Sequence, residues 1–557
     1  MPGLFDRLTT LIGKGAAKGA ASRVELKAMI GTAGFSGGVH PKQMKNTAGL
    51  PIVDSPLPPR LILPLKQHIG QVCTPIVEVG DRVLRGQKIG KSQGYVSAPV
   101  HAPTSGTVLA IEEHAVPHPS GMGRLCIIIE PDGKDEADEN LPPISNYRAE
   151  DPGLIRERIR LSGIVGLGGA VFPTFIKLLR DHRHPVEMVI LNGIECEPYL
   201  TCDHRVMLEH SAEIVRGLDV IMHAVEAQRG VIAIEDNKPD AIAAMQQALT
   251  EANLAHVEVR VLPTRYPQGS EKQLIQAVTG RQVPVGKLPL HIGVLCQNVG
   301  TTKAIHDAVC LGVPLTQRVV TISGDAVPEP ANICVRIGTP IPFVLAQCGL
   351  EDLNGVRLIH GGPMMGERLP RMNVPLVKST NGLLAMRQET LYSENAVEEP
   401  CIRCGHCVTV CPVGLVPNEL AWHCRHDQFD RGQEYDLFDC IECGCCSYVC
   451  PSHIPLVHYF RYAKGQVAKI EKERAFAELS KARSEARDNR LAHEQAERAA
   501  RRSKVRKQQA ASAVVKAKAE DGADKPAEKK PTQAAKDMKA KDMKAKDMKA
   551  KDMEKPA

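Results

Sequence analysis

CIRCGHCVTVCP, residues 401–412, returns as CIECGCCSYVCP at residues 440–451. Each copy has three cysteines separated by pairs of residues, then a fourth after three more residues with proline behind it. That spacing wraps one loop around a cubane, so three sulfurs of the loop reach three irons of a [4Fe–4S] cluster. In the bacterial two-cluster run the fourth cysteine serves the other cluster. The pairing expected is Cys401, Cys404, Cys407 and Cys450 for one cluster, with Cys440, Cys443, Cys446 and Cys411 for the other. Soft iron–sulfide cores need such thiolate donors, and Pro412 and Pro451 stop a helix or strand from running on. Structural zinc sites instead use two separated pairs of ligands. Two clusters predict single-electron chemistry.

Composition narrows the setting. A chain of 557 residues holds about three or four domains. Aromatic residues make up only 3% of it, a poor supply of base-stacking platforms, so no nucleic-acid partner is expected. No apolar run approaches the roughly 18–20 residues that span a bilayer, and the N-terminus lacks an apolar stretch with a small-residue cleavage site. A soluble or peripheral protein on the cytoplasmic side is expected. The net charge of +6 is unevenly spread: residues 466–557 carry 26 Lys and Arg against 16 Asp and Glu, a net of +10, leaving −4 elsewhere. Most of the ten cysteines outside the ligand set read as small buried hydrophobes, and Cys424 and Cys445 as spare non-ligands.

Outward from the cysteines the text changes character several times. Residues 467–557 form a basic, low-complexity tail ending in a KAKDM repeat from Lys539 to Met553. A period of five fits neither helix nor heptad, so disorder or transient helix is expected, with a tethering or partner-contact role. Residues 389–466 form the helical cysteine module, of two-[4Fe–4S] ferredoxin type. Residues 313–388 give short strands, then a helix, and resemble a β-grasp module of the soluble-ligand-binding kind. Within 136–312, apolar strands at 186–191, 230–235 and 257–262 alternate with helices at 211–227 and 239–252, which predicts an α/β layer on a mostly parallel sheet. Residues 36–135 break into short β runs and resemble the barrel-sandwich hybrid of biotinyl and lipoyl domains. A carrier of that kind presents a lysine on a tight turn. Here the turn is Gln93-Gly94-Tyr95-Val96-Ser97, with Lys91 off the tip, so a structural use is expected. Residues 1–35 read as a docking arm with one amphipathic patch at Leu4, Phe5, Leu8, Leu11 and Ile12. The fold class expected is multidomain α/β.

A glycine-dense loop, GIVGLGGAVFPTFIKLL at residues 163–179, opens the central region. Such loops let backbone amides approach phosphate, although the order here is not the Rossmann fingerprint. Three further motifs follow it: NGIECEP at 192–198, YPQGSE at 266–271 and QNVGT at 297–301. In that order the four resemble GRGGAGFPTG.K, NADEGEP, YICGEE and NNVET of the 51-kDa NADH-oxidising subunit family of respiratory complex I and related hydrogenases. With the N-terminal barrel, the β-grasp module and the cysteine module, residues 30–465 resemble the C subunits of Rnf electron-transport complexes.

The resemblance implies two [4Fe–4S] clusters, FMN and NAD(H) as cofactors, and it implies roles residue by residue. Gly166, Gly168, Gly169 and Lys177 would hold FMN phosphate and nucleotide. Asn192 and Asn298 would bond the ribityl–phosphate arm. Glu195 and Glu197 would be the acidic pair near the flavin face where NADH docks. Tyr266 and Glu271 would touch the nucleotide, and Phe172 would stack on adenine. Flavin supplies the hydride chemistry. Leu167, Val171, Ile194 and Cys196 depart from the family's Arg, Gly, Asp and Gly. The function implied is electron transfer between NADH and a ferredoxin-level carrier, ferredoxin or flavodoxin, driven or harvested by ion-translocating membrane subunits at the inner membrane. Two alternatives stand beside it: a soluble NADH dehydrogenase or hydrogenase diaphorase subunit, and an electron-wire docking subunit with a vestigial flavin site.

Overall fold

The computed structural model describes residues 34–179, 183–387 and 397–520. The docking arm, but for its last two residues, and the KAKDM repeat lie outside the described residues.

The centre is a four-stranded parallel sheet in the order Val257–Leu262, Arg229–Glu235, Met188–Gly193, Val294–Asn298. Parallel strands are covered on both faces and so read as continuous apolar runs. The run Met188 to Leu191 is fully buried. Alternate residues serve opposite layers. Val189, Leu191, Ile232, Ile234 and Leu295 pack with the helices Ser211–Val225, Pro239–Glu251 and Val299–Cys310. Ile190, Val231, Ala233, Val294 and Cys296 face the helix Glu271–Thr279 together with Cys443 and Cys445 of the cysteine module. The second cover of this sheet is therefore partly made by the cysteine loops themselves.

Residues 61–131 form the barrel-sandwich domain. A four-stranded antiparallel sheet, Leu61–Pro64, Gly123–Pro131, Gly106–Ala115 and Arg82–Val83, accompanies a three-stranded one, Thr74–Pro75, Lys88–Lys91 and Val100–His101. Register places Leu61 opposite Ile129 and Leu63 opposite Ile127, all four inside. The tip where a carrier would display lysine docks instead: Tyr95 meets Phe175 edge-on, ring centroids 6.2 Å apart.

A mixed six-stranded sheet carries the helix Ile341–Gln347, with Gln317–Ser323 and Gly382–Arg387 paired in parallel within it. Its edge strand, Ile52–Asp54, comes from the stretch assigned by sequence to the barrel and pairs in parallel with Ala331–Arg336. Three residues followed by Ser55-Pro56 hold no local signal of so distant a partner.

In the cysteine module, Leu415, Leu420, Cys424, Leu437 and Phe460 form a small core. The final helix, Leu456–Glu520, replaces the expected disorder or transient helix with continuous helix over residues 467–520 of the tail. Its start packs through Leu456, Val457, Phe460 and Ala463. Residues 466–520 contain neither Gly nor Pro and are dominated by Ala, Glu, Lys, Arg and Gln, the best helix formers. Charge and lack of large apolar residues argue for an exposed surface, and residues 471–517 are exposed, but they do not argue against a helix.

Gly217 sits where the helices Ser211–Val225 and Val299–Cys310 touch: a Cβ there would lie 2.3 Å from the Thr302 carbonyl oxygen. Gly217→Ala gains about 1 kcal/mol of helix propensity but overpacks against rigid backbone, at about 1–3 kcal/mol. Thermal unfolding of this variant should therefore occur at or below the wild-type midpoint, and a raised midpoint would refute the close contact.

Candidate functional site

The sheet order contains a topological switch. From Met188–Gly193 the chain builds outward to Arg229–Glu235 and Val257–Leu262, then returns to lay Val294–Asn298 on the other side. Ligands of open α/β sheets bind outside the carboxyl ends of strands at such a point. Register places Asn192 beside Asn298 there.

Each asparagine organises one wall. Asn298 caps the helix Val299–Cys310 by accepting from the Thr301 amide at 3.1 Å, and its Nδ2 donates to Asp203 at 2.7 Å. Asn192 Nδ2 donates to the Gly269 carbonyl at 2.8 Å and so anchors the 266–271 loop. The glycine loop closes on itself, with the Gly166 amide donating to the Phe172 carbonyl at 2.9 Å. The Leu167 amide ties it to Thr301 Oγ1 at 2.8 Å. Gly168 lies against Asn298, where an added Cβ would make ordinary contact at 3.6 Å, while Gly169, at φ +106°, faces open space. Exposed apical amides, two asparagines and a lysine suit a phosphate-bearing flavin. Lys177 and Glu271 meet at 2.6 Å. Burial alone would lower the Lys177 ammonium, but Glu271 more than offsets it and holds it above its ordinary value.

Two departures from the family pattern turn inward. Val171, at φ +43°, packs against the main core. Cys196 is buried with its sulfur 3.3 Å from the Gly269 amide.

The acidic pair is engaged with backbone. Glu195 accepts from the Asp203 and His204 amides, at 2.7 and 3.1 Å, and so caps the helix Cys202–Glu209. Burial and Glu195 together push Asp203 up to about 7. Glu197 accepts from the Met364 and Met365 amides at 3.0 and 2.8 Å, and burial raises it to about 7. Beneath them Lys45 Nζ donates to the carbonyls of Glu195, Glu197 and Leu200. Lys238 donates to that of Ile194 at 2.7 Å. Tyr266, implied as a nucleotide contact, is 1% exposed, and its hydroxyl donates to the Cys443 carbonyl at 2.7 Å. Phe172 is half-buried at the loop. Sequence reasoning missed Lys45, Asp203, Lys238 and Gln273, which stand apart from any motif, and gave Thr301 no role within QNVGT.

The eight cysteines of the twin runs divide crosswise between two cavities. Cys401, Cys404, Cys407 and Cys450 line one of about 200 Å³. Cys411, Cys440, Cys443 and Cys446, with Cys445, line a narrower one of about 20 Å³. Cys401 and Cys404 are exposed, whereas Cys411, Cys443 and Cys446 are buried. Among the described residues no three His, Cys, Asp or Glu side chains converge closely enough to hold one metal ion. A cubane keeps its thiolates further apart than a single ion does, so four thiols lining one cavity are a donor set suited to it. The outer cavity has room for one, whereas the inner, at about 20 Å³, would have to open around it.

Comparison with known proteins places these features. Residues 33–134 match the RnfC barrel sandwich hybrid domain, and residues 159–307 match the Nuo51 FMN-binding domain. The C subunit of the ion-translocating oxidoreductase complex of Yersinia pestis bv. Antiqua (strain Antiqua) is 46% identical over 461 residues, covering 83% of this chain and 73% of that protein. Its counterpart in Pectobacterium atrosepticum is 45% identical over 481 residues, covering 86% and 68%. An NAD+-reducing [NiFe]-hydrogenase in the H2-reduced state aligns with 18% identity over 58% of this chain and 63% of its own, at a TM-score of 0.41, too loose a likeness to bear on the site. Identity at that level over more than four-fifths of the chain is decisive: the chain belongs to the family of C subunits of Rnf ion-translocating oxidoreductase complexes.

Proposed function

We propose that this chain takes electrons from NADH at FMN and passes them singly through two [4Fe–4S] clusters toward a ferredoxin-level carrier. Partner subunits in the membrane would couple that flow to ion translocation. The observation that carries the reading is the crosswise division of the cysteines, because it joins one inner site to the flavin domain and opens the other to solvent. FMN would supply the step from hydride to single electrons. The chain's own residues do the rest. The Gly168 and Gly169 amides and Lys177 would hold phosphate, with Gly166 and Leu167, whose amides are spent on Phe172 and Thr301, closing the loop. Asn192 and Asn298 would hold the arm of the cofactor. Glu195 belongs to a chain of contacts, through Asp203 to Asn298, that leads to the switch point, so it is the acid proposed to meet NADH. Glu197 is held by a separate loop and would shape the wall. Glu271, paired with Lys177, and half-buried Phe172 would border the nucleotide.

No helix among the described residues is long and apolar enough to cross a membrane. With the family's membership of a membrane complex, this supports a peripheral position, proposed here on the cytoplasmic face of the inner membrane. Ferredoxin or flavodoxin is proposed as the distant partner. The inward turn of Val171 and Cys196 favours a working flavin site over a vestigial one.

Anaerobic reconstitution tests this directly. Two cubanes require roughly eight irons and as many sulfides per chain, with one FMN, and NADH should bleach both chromophores. Zinc in place of iron, or no FMN uptake, would sink the reading. Cys407→Ser should halve the iron and block transfer to an acceptor while NADH still reduces the flavin. Glu195→Gln should weaken NADH binding severalfold at unchanged iron content, and an unaltered affinity would remove Glu195 from the nucleotide site.

A further inference from the structure

One short segment touches both centres. On the flavin side, the Gly269 carbonyl accepts from Asn192 and Glu271 receives Lys177. On the other side, Tyr266 Oη donates to the carbonyl of Cys443 at 2.7 Å, and Gln273 Nε2 donates at 3.3 Å to the carbonyl of Pro412, the residue after Cys411. Tyr266 and Gln273 are 1% and 3% exposed. Tyr266 itself is fixed by reciprocal backbone bonds with Val39, and the neighbouring Gly38 amide donates to the Val410 carbonyl at 2.8 Å. Thus the tyrosine, the glutamine and the Gly38 amide all grip the loops beside ligands of the inner cavity.

We propose that Tyr266 and Gln273 are positioning residues: they fix the inner cysteine site against the flavin-binding loop and bias that site's reduction potential upward. The inference rests on the function proposed above. Its physics is local. A site that gains an electron becomes more negative, and donor dipoles aimed at its ligand loops stabilise that state. Tyr266 and Cys443 share one apolar cluster with Ile194, Cys196 and Leu274, where weak screening makes such dipoles count for more. The outer site, with exposed Cys401 and Cys404, lies in water-accessible surroundings, where the same dipoles would matter less.

The test is a paramagnetic-resonance redox titration of the full chain, poised with dithionite and mediators and without NADH. The inner signal is assigned as the one lost in Cys440→Ser. In Tyr266→Phe that signal should move to lower potential while the outer one stays, with iron and FMN content unchanged. After NADH addition, flavin reduction should keep its rate and cluster reduction should slow severalfold. Gln273→Met should shift the same signal in the same direction, and it carries the test alone if Tyr266→Phe loses its iron. Unchanged potentials with an unchanged transfer rate would overturn the proposal. So would a variant whose only defect is weak NADH binding, which would return Tyr266 to the nucleotide. Wild-type protein lacking iron at the inner cysteines would instead overturn the underlying reading, and it would do so before any variant is made.

Discussion

A parallel sheet cannot leave a face in water, and that requirement governs this molecule. The four central strands alternate their side chains between two layers. The first layer is an ordinary set of helices. Among the described residues the second contains one helix of the same domain, Glu271–Thr279, and is completed by Cys443 and Cys445 with Ile441 and Val449 packed beside them. Burial of apolar surface at about 25 cal/mol per Å² thus does two things at once. It closes the α/β core, and it seats the inner cysteine loop at a fixed place on the flavin-binding domain. Separating the cysteine module would expose the back of that sheet, so the two cannot drift apart as flexibly linked domains do.

The same constraint explains how polar chemistry survives so close to the core. The loop after Met188–Gly193 must turn sharply, and Glu195 accepts a left-handed φ of +48°. Its carbonyls cannot all find amides, and an unpaired buried carbonyl is costly. Lys45 and Lys238 meet them with ammonium groups, at 2.6–2.9 Å. A buried ammonium is itself expensive unless satisfied, and burial lowers Lys45 below its ordinary value. Carbonyls and lysines therefore satisfy one another. The loop's glutamates are left to hold the helix Cys202–Glu209 and the 364–365 turn, which makes the acidic pair part of the wall.

What the sequence made legible was what spacing or period can encode. The twin cysteine runs predict a crosswise grouping from their spacing, and the two cavities gather those same sets of four, with Cys445 added to the inner one. Three of the four parallel strands announced themselves as apolar runs within a residue or two of their ends, while the fourth, Val294–Asn298, went unread as a strand beside its QNVGT motif. Contacts made at long range were not legible. Lys45 lies some 150 positions from the carbonyls it serves, and Ile52–Asp54 some 280 from its partner strand, with no periodicity linking either pair. The motif at Tyr266 fixed a residue type and a loop, but not the bond its hydroxyl makes to the Cys443 carbonyl. The tail erred for another reason: high charge argues against a core, whereas helix needs only backbone propensity and the absence of glycine and proline.

The two cysteine sites are chemically equal in sequence and unequal in surroundings. The inner ring lies between a sheet face and the start of the last helix, where Lys464 donates to the Cys440 carbonyl at 2.6 Å and pairs with Glu442 at 2.8 Å. The outer ring is bordered by Ile402, Val408 and Val416, each substantially exposed. Solvent exposure and hydrogen bonding set cluster potentials over a wide range, so identical ligand sets in these two settings would differ in potential without any change of ligand. On the proposed reading this difference gives the chain a polarity. Because each ring borrows its fourth cysteine from the other run, the dry site and the wet site are held at a fixed separation by the same covalent loops. An electron that reaches the inner ring from the flavin domain then has a neighbouring site of different potential that opens to solvent, where a partner can receive it.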